Sequence, residues 1–501
     1  MAKELSRDFA ASDVGPLSAM RPLYWMLVLL SLVPLCIVLP MTPINVGIGV
    51  IAGWILLLWV AIGFVRGQFH CVVPLWVAFY PYCYYFFTFP KERSVFTVDR
   101  AFVLLLIIEM LIISRRNFAP APLTRDVRIS AYFWGLFLLV CFLSLASHAP
   151  SHELAFYRLL VEGMVMPALL GLYAMRYFPL LKDLEKLHLG ACTLGFGLCV
   201  TGLIELTTNI DLFPWEGSEP MFTDTHLRRA DGPFEQQIVL SVVAILAFFF
   251  IIYLRRLMPQ SVSPWRAVLH RIGCVASLGA ALLPLNRGLV FALVPIALID
   301  ALSKHRLISR RIWVTFFGMI LLAAVAAKLF DPRLYDDRVS SPDNAYQRVA
   351  QHMETLHVVR EYPLLGVGFG LYHDVASQNP RYMVKWKGIE SMNFPHNVMM
   401  TVLSEEGILG LFFYVLAQVF LFRAMWKIRK VFPPGWLAFL YCFLLYVLTG
   451  LDFAIVSFSD INLFYIFVLG VIYQFQIRMS GVREFPVLTY PHENSPMQVS
   501  A

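Results

Sequence analysis

The chain has 501 residues, of which 59% are hydrophobic and only 15% charged, with a formal net charge of +7. Soluble domains sit nearer half apolar and a quarter charged, so this composition excludes a chain built around a large water-soluble core. The positive balance reads as a membrane-orientation signal and not as a nucleic-acid footprint, because the basic residues fall in short loops between apolar runs.

Apolar runs of about 18 residues, each long enough to span a bilayer as a helix, recur from end to end. They predict an all-α polytopic membrane protein. Its spans lie near 24–40, 45–65, 71–89, 100–114, 130–147, 158–176, 187–206, 236–254, 268–284, 287–302, 312–330, 397–422, 434–450 and 460–477, roughly fourteen helices, with twelve or thirteen as alternatives. The regions are a tail at 1–23, a bundle over 24–330 with an outer loop at 207–235, a large loop at 331–395, helices over 396–477 and a tail at 478–501. Residues 1–21 are polar and the first apolar run leads straight into a second, so no cleavable signal peptide is expected.

With the N-terminus inside, the inner loops carry the arginine and lysine clusters, among them Arg255, Arg256, Lys304, Arg306, Arg310 and Arg311. The loops at 41–44, 148–155 and 451–459 contain no Lys or Arg, and the loop with Lys91 and Arg93 is the exception. This orientation places 207–235 and 331–395 on the outer face. Within the second, Tyr346–Tyr362 predicts an amphipathic helix with Val349, Met353 and Leu356 on its apolar side, lying on the membrane or capping the bundle.

The eight cysteines all fall in or beside spans and read as small packing residues. No Walker A sequence is present, which disfavours ATP-driven transport, and no internal repeat is visible, which disfavours an inverted-repeat transporter.

Three constellations carry chemistry. Arg228-Arg229-Ala-Asp-Gly-Pro-Phe234 precedes the 236–254 span; guanidinium groups stay charged and grip phosphate oxygens in a bidentate way, although an interfacial anchor is the plain alternative. Arg287 follows Asn286 in a tight turn between two apolar runs. A charge at membrane depth costs roughly 2.5–3.5 kcal/mol unless paired or hydrated, so a phosphate partner or a snorkelling side chain must neutralise it. The third runs from Pro363-Leu-Leu-Gly-Val-Gly-Phe-Gly370 to Pro395-His-Asn397 and Glu405-Glu-Gly407. Gly366 and Gly368 offer a flexible approach with exposed amides. His396 has a side chain suited to taking a proton from a sugar hydroxyl near neutral pH. Asn397 is placed to orient it, Glu405 is a carboxylate at the lip of the next span, and Arg348 is a further basic candidate. Arg360, His373, Lys385 and Lys387 are weaker ones.

The order of Arg-x-x-Gly-Pro-Phe at 229–234, Arg-Gly at 287–288, Pro-Leu-Leu-Gly-Val-Gly-x-Gly at 363–370, His-Asn at 396–397 and Glu405-x-Gly407-x-x-Gly410 resembles the O-antigen ligase and polysaccharide polymerase superfamily of bacterial inner-membrane proteins. The motifs cover roughly 190–420. The resemblance implies a GT-C-type helical bundle with a large periplasmic loop. It implies transfer of a glycan from an undecaprenyl-pyrophosphate carrier to a sugar hydroxyl at the periplasmic face, with inversion and without a metal or other cofactor. The acceptor would be a lipid A–core sugar for a ligase, or another carrier-linked repeat for a polymerase, working beside a flippase and a chain-length regulator. By the same resemblance, Arg229 and Arg287 match pyrophosphate-binding positions and Arg348 matches an arginine often found ahead of the Gly turn; Arg228 is a substrate-binding candidate as the neighbour of Arg229. His396 matches the residue that activates the acceptor, with Asn397, Glu405 and Gly407 as its companions. Three departures stand out: Glu-Gln-Gln follows Phe234, Glu406 occupies a usually apolar position, and fourteen spans exceed the twelve typical of ligases. The span count and the Gln-Gln favour a polymerase over a ligase. A lipid-linked glycan flippase is the alternative of another class; the concentration of polar candidates on one face argues against it.

Overall fold

The computed structural model describes residues 69–86, 98–115, 120–148, 154–214, 229–258, 264–330, 343–391 and 394–483. The predicted spans 24–40 and 45–65, Arg228, the Lys91–Arg93 loop, the N-terminal tail and the C-terminal tail beyond Arg483 lie outside them; residues 478–483, expected to open that tail, continue the last helix. From residue 71 onward every predicted span falls on a helix. In chain order these are α1 (Val73–Phe86), α2 (Val98–Arg115), α3 (Arg125–His148), α4 (Leu154–Leu160), α5 (Met166–Arg176), α6 (Leu180–Thr208), α7 (Gln237–Leu257), α8 (Pro264–Leu282), α9 (Arg287–Leu302) and α10 (Arg310–Phe330). The outer loop adds α11 (Asp343–Glu361) and α12 (Tyr372–Gln378), and α13 (Val398–Glu405), α14 (Gly407–Lys427), α15 (Pro433–Gly450) and α16 (Ser459–Arg483) complete the series. Among the described residues, seven helices are long and apolar enough to cross a membrane.

The bundle is organised around α7. Its sequence is apolar on every side from Ile238 to Leu254, and every residue in that run is buried. A helix without a polar stripe has to be enclosed by others, and α6, α8, α15 and α16 pack around it. By contrast α10 exposes Val314, Leu321 and Leu322, an apolar surface that suits lipid contact. One turn of π-helix, Val161–Val165, joins α4 to α5. The Asn462 amide donates to the Gly163 carbonyl there at 3.0 Å and to that of Val456 at 2.7 Å.

Residues 343–391 fold into a small surface structure. On α11, Val349, Met353 and Leu356 are exposed while Gln351, Glu354 and Thr355 are buried. The helix thus turns Val349, Met353 and Leu356 outward, the exposure a membrane-lying helix uses, while Ala350 and Val358 are buried beside the polar residues. A two-stranded hairpin follows, β1 (Lys385–Trp386) pairing antiparallel with β2 (Ile389–Glu390).

The predicted span 397–422 is not one helix. It breaks between α13 and α14, where Gly407 takes φ +69° and leaves carbonyls near the break without helical partners. The Gly-rich turn supplies the missing donors. Val367 N–H donates to the Ser404 carbonyl at 2.9 Å and Gly368 N–H to that of Glu405 at 2.8 Å; Ile408 N–H donates back to Pro363 at 2.9 Å. The Ser144 hydroxyl on α3 also donates to the Glu405 carbonyl, at 2.8 Å. The approach is so close that a Cβ at Gly366 would lie 2.3 Å from the Glu405 carbonyl carbon, at a backbone φ of +68°. Gly366→Ala is therefore expected to destabilise the protein by about 2 kcal/mol or more, from left-handed strain and the clash together. A lowered thermal unfolding midpoint in detergent checks this; an unchanged midpoint contradicts it.

Candidate functional site

At one end of the bundle, α9, α11, the start of α13 and the 451–458 turn bring basic groups together around one carboxylate. Asp452 reaches Arg348 on α11, with Nη2 to Oδ1 at 3.5 Å. Its other oxygen lies against the first turn of α9, 2.2 Å from where a Cβ on Gly288 would stand. The positive end of a helix favours a carboxylate there. Arg287 is the first residue of α9, and its charge opposes that of Arg348.

The turn that presents Arg287 is built locally. Leu285 takes φ +55°, and the Asn286 side chain caps α9 by accepting from Gly288 N–H at 3.0 Å. Arg229 braces it from outside, its Nε donating to the Pro284 carbonyl at 3.1 Å. The Arg229 turn is itself tied to the end of α6. Glu205 Oε2 accepts from the amides of Asp231 at 3.2 Å and Gly232 at 2.8 Å. Glu205, Asp211 and Asp231 bring carboxylate oxygens within 4.8 Å of one another, in a layer behind Arg229.

His396 stands beside Arg348. Its ring meets the edges of Phe394 and Phe453 at centroid distances of 5.2 and 6.0 Å, and the Arg348 guanidinium lies 5.1 Å from the Phe453 centroid. Burial, then the charges of Arg348 and His352, push the imidazole pKa down to about 3. The group is therefore a neutral imidazole at physiological pH. Burial and Arg348 also lower His352, and burial is the main influence lowering Arg348, which Asp452 partly offsets. His396 Nδ1, His352 Nε2 and Arg348 Nη1 are buried and have no hydrogen-bond partner among the described residues. Buried polar atoms are normally satisfied, so three such atoms in one group of neighbours point to a ligand or water between them.

Asn397 acts through the backbone on either side of it. Its Oδ1 caps α13, accepting from Met399 and Met400 amides at 2.8 and 3.2 Å, and its Nδ2 donates to the Leu451 carbonyl at 2.9 Å. One side chain thus fixes both His396 and the turn carrying Asp452. Glu405 also faces inward. Its carboxylate accepts from the amides of Gly370 and Tyr372, so it fastens the Gly turn. The amides of Gly366 and Gly368 are likewise committed, to Tyr362 and Glu405 carbonyls at 3.1 and 2.8 Å. The exposed donors expected from the glycines are used to splice the loop onto the broken helix. Lys385 pairs with Glu390 at 2.5 Å and Lys387 lies 4.5 Å from the Tyr346 ring centroid, both on the hairpin side.

Sequence reasoning missed Asp452, His352 and Phe453. Asp452 carried a usable signal, being an acid in a short turn between two apolar spans, the same argument that singled out Arg287. Beside this cluster an apolar groove of about 450 Å³ begins at Val398 and Leu451 and runs between α14 and α15 to Phe422 and Phe443.

The cap and the tether of Asn397 are separable. Asn397→Asp keeps the acceptor and loses the donor to Leu451, whereas Asn397→Ala loses both and costs about 1 kcal/mol from the cap alone. Thermal unfolding should rank wild type above Asp and Asp above Ala; an Ala variant as stable as wild type contradicts the capping role.

Residues 272–415 match the family described as O-Antigen ligase; no curated protein matches the chain. The matched stretch runs from α8 into α14 and holds Arg287, Arg348, His396, Asn397 and Glu405. The chain is a helical membrane protein, and over residues 272–415 it is similar to the O-antigen ligase family.

Proposed function

We propose that this protein transfers a glycan from an undecaprenyl-pyrophosphate carrier to a sugar hydroxyl at the periplasmic face of the bacterial inner membrane, acting as a polysaccharide polymerase. The observation that carries the reading is the convergence of Arg287, Arg348, His352 and His396 at one end of the bundle, with buried polar atoms open to a ligand. The glycosyl–phosphate bond breaks with negative charge developing on the leaving pyrophosphate. Arg287 and Arg348, fixed by the α9 turn and by Asp452, stabilise that charge in a poorly solvated site, as Arg229 does from the neighbouring turn. Fixed guanidinium groups serve here in place of a divalent metal. The neutral His396 accepts the proton of the acceptor hydroxyl as that oxygen attacks the anomeric carbon from the side opposite the pyrophosphate, which inverts the linkage. The groove from Val398 to Phe443 suits the isoprenoid tail, which needs a long apolar channel beside a polar head site. Asn397, Glu405, Gly366 and Gly368 are positioning residues. A ligase working on lipid A–core would use the same chemistry with another acceptor; Glu-Gln-Gln after Phe234 favours the polymerase.

Arg287→Ala and His396→Ala are expected to insert normally and to leave the glycan assembly of a deletion strain uncorrected. Glycan still linked to the carrier should then consist of single repeats on the outer leaflet. Long chains stranded on the carrier would make the protein a ligase, single repeats held on the inner leaflet a flippase, and normal assembly by either variant would sink the proposal.

The lowered His396 pKa sets a pH dependence. A base is active above its pKa, so in the free protein His396 is ready well below the usual histidine value of about 6.5. kcat/KM should show no acid limb near that value. Bound pyrophosphate offsets the arginine charge and raises the imidazole pKa, so the acid limb of kcat should lie at higher pH than that of kcat/KM. An acid limb of kcat/KM near the ordinary histidine value, abolished in His396→Gln, would contradict this assignment of the neutral base.

A further inference from the structure

The opposite end of α7 and α9 holds a second basic site that glycosyl transfer does not use. α9 is 16 residues long, which at about 1.5 Å per residue puts its last turn some 24 Å from Arg287. There a cavity of about 540 Å³ is lined by Arg256, Arg306, Ile308, Ser309, Arg310 and Arg311. A second, of about 410 Å³, shares Arg256, Ile308 and Ser309 with it and adds Arg255 and His270 against the apolar walls of Ile252, Met258 and Ile312. Among the described residues, no carboxylate lines either one.

Two features separate this place from an ordinary run of basic loop residues. The first is rigidity. The Asp300 carboxylate, 1% exposed, accepts from the amides of Leu307 at 2.9 Å and Ile308 at 3.3 Å, from Trp313 Nε1 at 3.0 Å and from Tyr441 hydroxyl at 2.6 Å. Arg256 donates to the carbonyls of Arg306 and Leu307 at 3.4 and 3.3 Å. The 303–309 turn is thereby held in one shape under its arginines. The second is electrostatic. Arg310 and Arg311 open α10, whose first turn has no acidic residue. Cations at the positive end of a helix are unfavourable, and Arg306 and Arg256 add to the excess. An anion seated at the start of α10 removes that conflict, held by the guanidinium forks at the positive end of the helix.

We propose that these joined cavities bind the phosphate head group of an anionic phospholipid on the face opposite the transfer site. Continuity with the apolar walls of Ile252, Met258 and Ile312, and with the exposed side of α10 at Val314, Leu321 and Leu322, assigns the anion to a lipid: the head sits at Arg310 and Arg311 while the acyl chains follow the helix. Basic pockets between membrane helices on the inner side take such head groups.

The test titrates purified full-length protein in neutral detergent with phosphatidylglycerol, phosphatidylethanolamine or inorganic phosphate and follows the unfolding midpoint. Phosphatidylglycerol should raise the midpoint, and the other two should leave it unchanged. The Arg310→Gln/Arg311→Gln variant should weaken the apparent affinity about tenfold or more. Arg310→Lys/Arg311→Lys should retain most of it and keeps the test open if the glutamine variant fails to fold, and Arg429→Gln should match wild type. No response to phosphatidylglycerol, or equal affinity in the glutamine variant, overturns the site. An equal response to inorganic phosphate overturns its assignment to a lipid.

Discussion

The structure of the His396 end of the bundle depends on a helix that stops and restarts at Glu406–Gly407. A break in a helix at membrane depth exposes backbone carbonyls that neither lipid nor side chains of the same helix can satisfy. Here the Gly turn at 366–370 satisfies them from one side and Ser144 on α3 from another. The outer loop is therefore anchored by backbone hydrogen bonds at its far end, and α13 is a separate short helix that Asn397 can cap. His396 owes its position to that cap, and Arg348 on α11 owes its position to the same anchored loop.

Around this frame the electrostatic design is consistent. Basic groups are gathered at both ends of the bundle, but they are handled differently. At the His396 end a single carboxylate, Asp452, lies between Arg348 and the start of α9, so the arginines are held close without all being neutralised. Burial and that positive surrounding push the His396 pKa down, in keeping with the proposed role of proton acceptor. At the opposite end Asp300 is engaged in shaping the backbone, and arginines line the cavities there. The two ends share α9, so a ligand at one end of that helix sits on the same rigid element that presents Arg287 at the other.

Much of this was legible in the sequence. Apolar runs located the helices, and the cost of burying charge singled out Arg287 and His396. The amphipathic pattern of α11 also read correctly, with Val349, Met353 and Leu356 outward. Contacts between distant segments were not legible. Asp452 lies more than a hundred positions from Arg348, and no local pattern pairs them. The Gly turn misled for a physical reason: glycines that leave amides open to a phosphate and glycines that let two backbones touch are the same residues in sequence. Only the 2.3 Å approach to Glu405 tells them apart. Similarly Glu405-Glu406-Gly407 read as the start of a span, although two acids before a glycine are as good a signal for a helix break.

The most direct test of the central claim follows the carrier itself. Purified protein would be mixed with an undecaprenyl-pyrophosphate-linked repeat unit, with release of undecaprenyl pyrophosphate measured alongside glycan length. The account predicts release in step with each new glycosidic bond. Intact carrier and unextended glycan, under conditions where the protein remains folded, would contradict it.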